Sequence, residues 1–274
     1  MKYNEIDLSV IILNYKNPFL TLKCVKTLIS SAKKAEISTQ IIVVDNSALE
    51  TSETLKKILP PNIDLIENNE NLGFSKANNQ GISKAKGNYI LFLNNDAFVN
   101  SKSLKAGINC LNNKIIFGIW APKLIGEDGL FQVSCARLPS LKGLIGEYIL
   151  NKNYDWYNDV SQWTEAKDVG NVVGAFMLIK KSVIDKIGNL DEEFFFNVED
   201  VDFCKRANQA GFLVIYDPRY SIIHIGGASQ EETWTNDKHL HKNRILYFKK
   251  NQGLIKYLLA RLIITLSLRI RKLG

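Results

Sequence analysis

QIIVVDNSALETSETLKKIL, residues 40–59, decides the fold. Ile41 to Val44 are four β-branched aliphatics in a row with no polar alternation, so a strand made of them is buried on both faces. A polar turn at Asp45, Asn46 and Ser47 follows, and TSETLKKIL then reads as a polar helix. The same unit recurs on either side. LSVIIL (8–13) precedes a segment that starts after Pro18, IDLIE (63–67) precedes FSKANNQGISKAK, and YILFLN (89–94) follows Gly87. Continuous apolar strands separated by helices predict an α/β fold, a mostly parallel, doubly wound sheet covered on both faces. Such sheets take ligands beyond the carboxyl ends of their strands, near a change in strand order.

The residues at those ends are Asn14 and Tyr15, then Asp45, Asn46 and Ser47, then Asn94, Asn95 and Asp96. Asn, Asp and Ser also make turns and caps by bonding their own backbone. One such loop is explained by turns alone; three converging loops equally suit a ligand.

The chain has 274 residues, 46% of them hydrophobic, a formal charge of +7 and a pI near 9.1. That charge points to an anionic partner. Nucleic acid is disfavoured, because the basic residues gather near the C-terminus without a recognisable module. Cys24, Cys110, Cys135 and Cys204 have no C-x-x-C spacing, against a zinc site or a disulfide framework. The N-terminal apolar run is short and reads as a strand, so the expected location is the cytoplasm. GFSKANN is not a G-x-G-x-x-G fingerprint, so no dinucleotide cofactor is expected.

The stretch FFFNVEDVDFCKRANQAGF (194–212) sets Glu199, Asp200 and Asp202 against three aromatics. Carboxylates suit the first turn of a helix, with Asn197 as its cap and Gly211 closing it. A general base beside a water-poor pocket is the other reading. Between Phe131 and Asp168, Trp156 and Trp163 suit either an acceptor groove or the core. VVGAFMLIKK (172–181) reads as one strand with Gly174 and Ala175 inside it, where glycine marks a bulge or a ligand's approach. FLVIYDPRYSIIHIGG reads as two short strands around Asp217–Pro218, the second ending at His224. A lone histidine between isoleucines is more often structural than a ligand.

In order, VVDN (43–46), NLGFSKANNQG (71–81), LNND (93–96), GAFMLIKK (174–181), FFFNVEDVDFCKRANQAGF and IIHIGGAS (222–229) resemble the motif series of family 2 glycosyltransferases with the GT-A fold, most of all the rhamnosyltransferase branch. The resemblance runs from about Ser9 to Ser229. It implies an inverting transferase that moves a sugar, rhamnose from dTDP-rhamnose first and a UDP-hexose second, onto a hydroxyl of a glycan or lipid-linked acceptor. It further implies Mn²⁺ or Mg²⁺ held by Asp96 and His224, with Asn94 standing where many members carry a first aspartate. Asp200 becomes the base and Glu199 orients the acceptor, while Phe194, Phe195 and Phe196 limit hydrolysis of the donor. Asn14, Tyr15, Asp45, Asn94 and Asn95 fall where the family holds the nucleotide sugar, and Gly174 and Ala175 lie near the transferred sugar or acceptor. Gly73 and Lys76 suit nucleotide contacts, or packing and plain surface. The rival is a sugar-nucleotide- or glycan-binding module with the same fold but without turnover, against which Asp96, Asp200 and His224 stand.

The sequence divides into a catalytic domain, 1–235, and a basic helical segment, 236–274. HLHKNRILYFKK (239–250) is expected to close over the donor phosphates. In residues 254–274, Arg261, Thr265, Arg269 and Lys272 share one helical face, leaving Leu258, Leu259, Leu262, Ile263, Leu266 and Ile270 on an apolar side. That pattern suits a helix lying on an anionic membrane, and equally one packed on the protein itself or on a second subunit.

Overall fold

The computed structural model describes residues 6–271 apart from 48, 69, 153–154, 156, 158 and 227–237. The early elements alternate as the apolar runs dictate: β1 (Leu8–Asn14), α1 (Pro18–Ala35), β2 (Thr39–Asp45), α2 (Leu49–Ile58), β3 (Asp64–Glu67), α3 (Phe74–Lys84) and β4 (Tyr89–Asn94). Next come β5 (Ala97–Phe98), α4 (Ser101–Asn113), β6 (Phe117–Ile125), β7 (Phe131–Gln132), β8 (Cys135–Ala136), α5 (Leu141–Tyr148), β9 (Lys167–Asp168) and β10 (Asn171–Val172). The sheet resumes with β11 (Phe176–Lys180), α6 (Lys181–Ile187), α7 (Glu199–Gln209) and β12 (Leu213–His224), before α8 (Lys238–Asn251) and α9 (Gly253–Arg271).

The main sheet runs β3-β2-β1-β4-β11-β6-β12-β5. Strands β1 to β4 are parallel, β11 runs antiparallel between β4 and β6, and β12 is parallel to β6. The carboxyl ends of β1, β2, β4, β6 and β12 therefore share one edge with the start of β11. Strand order reverses between β1 and β4, which opens a crevice at that edge. Alternate residues of each central strand feed two apolar layers. Val10, Ile12, Val43 and Leu91 meet α1, α2 and α4 through Val25, Leu55 and Leu104, whereas Ile11, Ile42 and Phe92 meet α3, α6 and α7 through Ala77, Val183 and Phe203. A third cluster joins α5, α8 and α9 to Phe194 and Val198.

Three local expectations are corrected. Residues 213–224 form one strand, because Asp217–Pro218 makes a bulge in a continuing parallel ladder and no reversal. Pro218 cannot donate to the ladder, and Arg219 forks onto Asp217 at 2.8 Å on both oxygens. Gly174 and Ala175 are not inside a strand; they link β10, which pairs with β8, to β11 in the main sheet. Asn197 does not cap α7: the position before Glu199 is Val198, with φ +76° and no side-chain cap bond, though Gly211 does follow the helix with φ +89°. Trp163 packs on Tyr157 and Tyr216 in the core, while Trp156 and the tail of IIHIGGAS lie outside the described residues.

Candidate active site

Two cavities meet at the crevice, sharing Phe74, Asn94, Phe196 and His224 as walls. The smaller, 230 Å³, lies over the switch point and is lined by Tyr15, Asn46, Asn71, Gly73, Asn95, Asp96, Phe195 and His239 as well. The larger, 430 Å³, takes in Gly174, Ala175, Glu199 and Asp200, with Arg137 and Arg244 also among its walls.

Three of the expected nucleotide contacts do not border the smaller cavity. Asn14 and Asp45 are fully buried beneath it. Asn14 Nδ2 donates to Asp45 Oδ1 at 2.8 Å, Thr21 Oγ donates to Asn14 Oδ1 at 2.6 Å, and Ser52 Oγ donates to Asp45 Oδ2 at 2.6 Å. A satisfied buried network of this kind fixes the strand-end loops. Lys76 is exposed on the outer face of α3. Asn95 borders the cavity, but its amide turns inward to Thr21 Oγ at 3.0 Å. Asn46, only a turn residue in the sequence, holds the 68–73 loop by donating to Asn71 Oδ1 and accepting from the Leu72 amide.

The NLGFSKANNQG motif has a packing role that sequence spacing cannot show. Gly73 takes φ +82° and ψ 172°, a region that only glycine adopts readily, and a Cβ there would sit 2.4 Å from the Phe195 carbonyl oxygen. The Phe74 amide donates to that carbonyl, Ser75 Oγ to the Phe194 carbonyl, and Asn79 Nδ2 to the Leu190 carbonyl. The motif thus clamps the loop that leads into α7.

Asp200 sits in the first turn of α7. Its Oδ2 accepts from the Gly174 amide at 3.1 Å and its Oδ1 from the Val201 amide at 2.8 Å. Burial pushes its pKa up to about 6 although both amides pull the other way. A carboxylate that titrates near neutrality, held by backbone donors in a mostly apolar cavity, meets the demands on a general base. Glu199 is buried beside it. Asp202 is structural, accepting from Arg206 Nε at 2.8 Å and from Asn251 of α8 at 2.9 Å. Phe195 and Phe196 face the cavities, whereas Phe194 is buried in the cluster under α8.

Asp96 and His224 meet because β5 pairs with the end of β12, His224 opposite Ala97. His224 Nε2 lies 3.4 Å from Asp96 Oδ1. Gln132, which the sequence did not single out, fixes the ring. Its amide nitrogen donates to the His224 carbonyl at 2.9 Å, so its oxygen faces Nδ1 at 2.7 Å and Nδ1 must carry the hydrogen. In the neutral ring Nε2 then turns a lone pair toward a carboxylate oxygen. Two acceptors facing each other want a cation between them, so this donor set fits Mg²⁺ or Mn²⁺. Among the described residues no third His, Cys, Asp or Glu joins them. Oxygens of a bound ligand must complete the shell. Gln132→Leu, which frees the tautomer, is expected to weaken Mn²⁺ binding about tenfold in calorimetric titrations with nucleoside diphosphate present.

His239, from the first turn of α8, stacks on Phe195 with ring centroids 4.9 Å apart and forms the outer wall of the smaller cavity. The basic run at 239–250 was the only trace of it in the sequence.

The profile described as glycosyl transferase family 2 matches residues 9–188. The chain is 28% identical to a low-salt glycan biosynthesis hexosyltransferase of Haloferax volcanii over 74% of its own length, and spans 62% of that relative. It is 22% identical to an N-acetylglucosaminyl-diphospho-decaprenol L-rhamnosyltransferase of Mycobacterium tuberculosis, over 72% of this chain and 70% of the other. A mannosyltransferase of Pyrobaculum calidifontis, solved with GDP-Man and Mn²⁺, superposes with a TM-score of 0.59 at 14% identity, covering 97% of this chain and 75% of that one. At that identity the likeness speaks for the fold, which is GT-A.

Proposed function

We propose that this chain, which belongs to glycosyl transferase family 2, moves a sugar from a nucleoside diphosphate in the smaller cavity to a hydroxyl presented in the larger one, with inversion. The observation that carries this reading is the junction of the two cavities, with Asp96 and His224 on the donor side and Asp200 on the other. The acceptor oxygen attacks the anomeric carbon, the bond to the diphosphate breaks, and the hydroxyl proton passes to a carboxylate oxygen of Asp200. Direct displacement from the face opposite the leaving group inverts the centre. Glu199 orients the acceptor. Asp96 and His224 would hold Mg²⁺ or Mn²⁺, which supplies positive charge to the departing diphosphate. His239 flanks the same space. Phe195 and Phe196 keep water from the donor. Residues 1–235 carry the catalysis, and within 236–274 helix α8 adds Leu240 and Arg244 to the acceptor side and His239 to the donor side.

Rhamnose from dTDP-rhamnose is the favoured donor, supported by the mycobacterial rhamnosyltransferase among the relatives. A UDP-hexose is second, supported by the haloarchaeal hexosyltransferase. A lipid-linked glycan is the favoured acceptor, as the name of the mycobacterial relative suggests. The test is thermal stabilisation by a panel of dTDP- and UDP-sugars, with and without Mn²⁺. A ligand at a hundredfold its Kd adds about 2.7 kcal/mol of stability. Mn²⁺-dependent stabilisation by dTDP-rhamnose is the expected result. Silence of a folded sample across the panel would remove the reading.

A further inference from the structure

We propose that the outer face of α9, together with the end of α5, seats on an anionic lipid bilayer and so sets the larger cavity at headgroup level. The second half of this inference rests on the acceptor being lipid-linked; the first half does not. The two readings left open for residues 254–274 turn out to use opposite sides of one helix. Ala260, Ile264 and Ser267 face inward and are buried against α5 and α8. Ile255, Leu258, Leu262, Leu266 and Ile270 face outward and are 48–76% exposed. Ser267 Oγ donates to the Tyr148 carbonyl at 2.8 Å, which pins the end of α5 to the last turns of α9. Ile149 and Leu150, 62% and 52% exposed, extend the apolar surface there. An exposed apolar face this long marks an interaction surface.

Charge selects the occupant. From Lys238 to Gly274 the chain holds six lysines, four arginines and no Asp or Glu. A second copy of α9 laid on this face would bring Arg261 and Arg269 against more cations with no carboxylate to meet them. An anionic bilayer offers the complementary charge, and long basic side chains can reach its phosphates while their stems stay in the apolar layer. None of the helices among the described residues is long and apolar enough to cross a membrane, so α9 lies in the interface plane.

The position of the face matters for the site. Leu144 and Glu147 of α5 and Leu240 and Arg244 of α8 form the far wall of the larger cavity, and the same helices pack on the inner side of α9. One layer of helix separates the bilayer from the acceptor space.

The experiment is flotation of the full chain with vesicles of phosphatidylcholine alone or mixed with phosphatidylglycerol, beside a Leu258→Glu/Leu262→Glu/Leu266→Glu variant. Anionic vesicles are expected to bind at least about tenfold more tightly than neutral ones, and the variant to lose at least about tenfold in affinity for them. Stabilisation by the nucleotide sugar should be equal in both proteins, which separates failure here from failure of the donor site. Equal binding to neutral and anionic vesicles, or unchanged binding of the variant, overturns the proposal. So does light scattering that shows a dimer broken by the same substitutions, with no vesicle binding, since a second copy would then cover the face.

Discussion

Asp200→Asn is expected to lower kcat about 10²- to 10⁴-fold, the range spanned by loss of a general base, while the nucleotide sugar still stabilises the protein. The amide keeps an oxygen for the Gly174 N–H but cannot take the proton of the attacking hydroxyl. Since burial raises the Asp200 pKa to about 6, kcat/KM of the parent should climb roughly tenfold per pH unit below about 6 and level off above it. In the variant that limb should vanish. Stability moves the opposite way. The folded state holds this proton more tightly than the unfolded chain does, so the group's stabilising contribution is full below about pH 4 and is lost as pH rises through about 6. The carboxamide leaves the Val201 N–H without its acceptor, a cost that is the same at every pH, so the Tm of the variant relative to the parent should improve as pH rises from about 4 through about 6. Loss of turnover in a protein whose relative stability follows that pH course rules out damage to the fold as its cause. Equal product from both proteins would eliminate Asp200 as base, whereas no product from either would favour a binding module that does no chemistry.

What the sequence conveyed depended on whether the determining contacts were local. Strands β1, β2 and β4 were plain in it because both faces are buried, so every residue from Val10 to Ile12 or Ile42 to Val44 had to be apolar. Their polar ends were equally plain, yet the same residue types do two jobs there. Tyr15 and Asp96 face the cavity, while Asn14 and Asp45 close a network beneath it. Composition cannot separate a side chain that points out from one that points in. Gln132 was invisible because its partner lies 92 residues away and the contact depends on β7 pairing with β6. The clamp of NLGFSKANNQG on the 190–196 loop joins residues more than a hundred positions apart. Val198 misled the reading of α7 for another reason: a β-branched residue at positive φ is costly, so local preference argues against the conformation that surrounding contacts impose.

That strained turn gives the second large effect. Asn197 and Val198 have φ of +67° and +76°, and they directly precede Glu199 and Asp200. At the β-branched Val198 such geometry costs on the order of 1–3 kcal/mol, less at Asn197, and it persists only where neighbours enforce it. One such neighbour comes from α8. Asn243, 1% exposed, donates from Nδ2 to both the Phe196 and the Asn197 carbonyl oxygens at 2.9 Å. Asn243→Ala removes both bonds and lets the turn relax toward ordinary φ values, which displaces the Asp200 carboxyl from the Gly174 amide. A shift of about 1 Å at a reacting group can cost about a hundredfold in rate, and that is the expected fall in kcat. The KM for the nucleotide sugar should change less than kcat, because Tyr15, Asn46 and Asp96 are held by the strand ends and only Phe196 and His239 of that cavity depend on the turn and α8. Because both the burial and the Gly174 bond that set the Asp200 pKa change on displacement, the acid limb of the pH profile should move away from about 6. A merely destabilised protein would lose active fraction without moving that limb. An unmoved limb with unchanged kcat would show that the turn holds itself, and that the helices beyond residue 236 do not position the base.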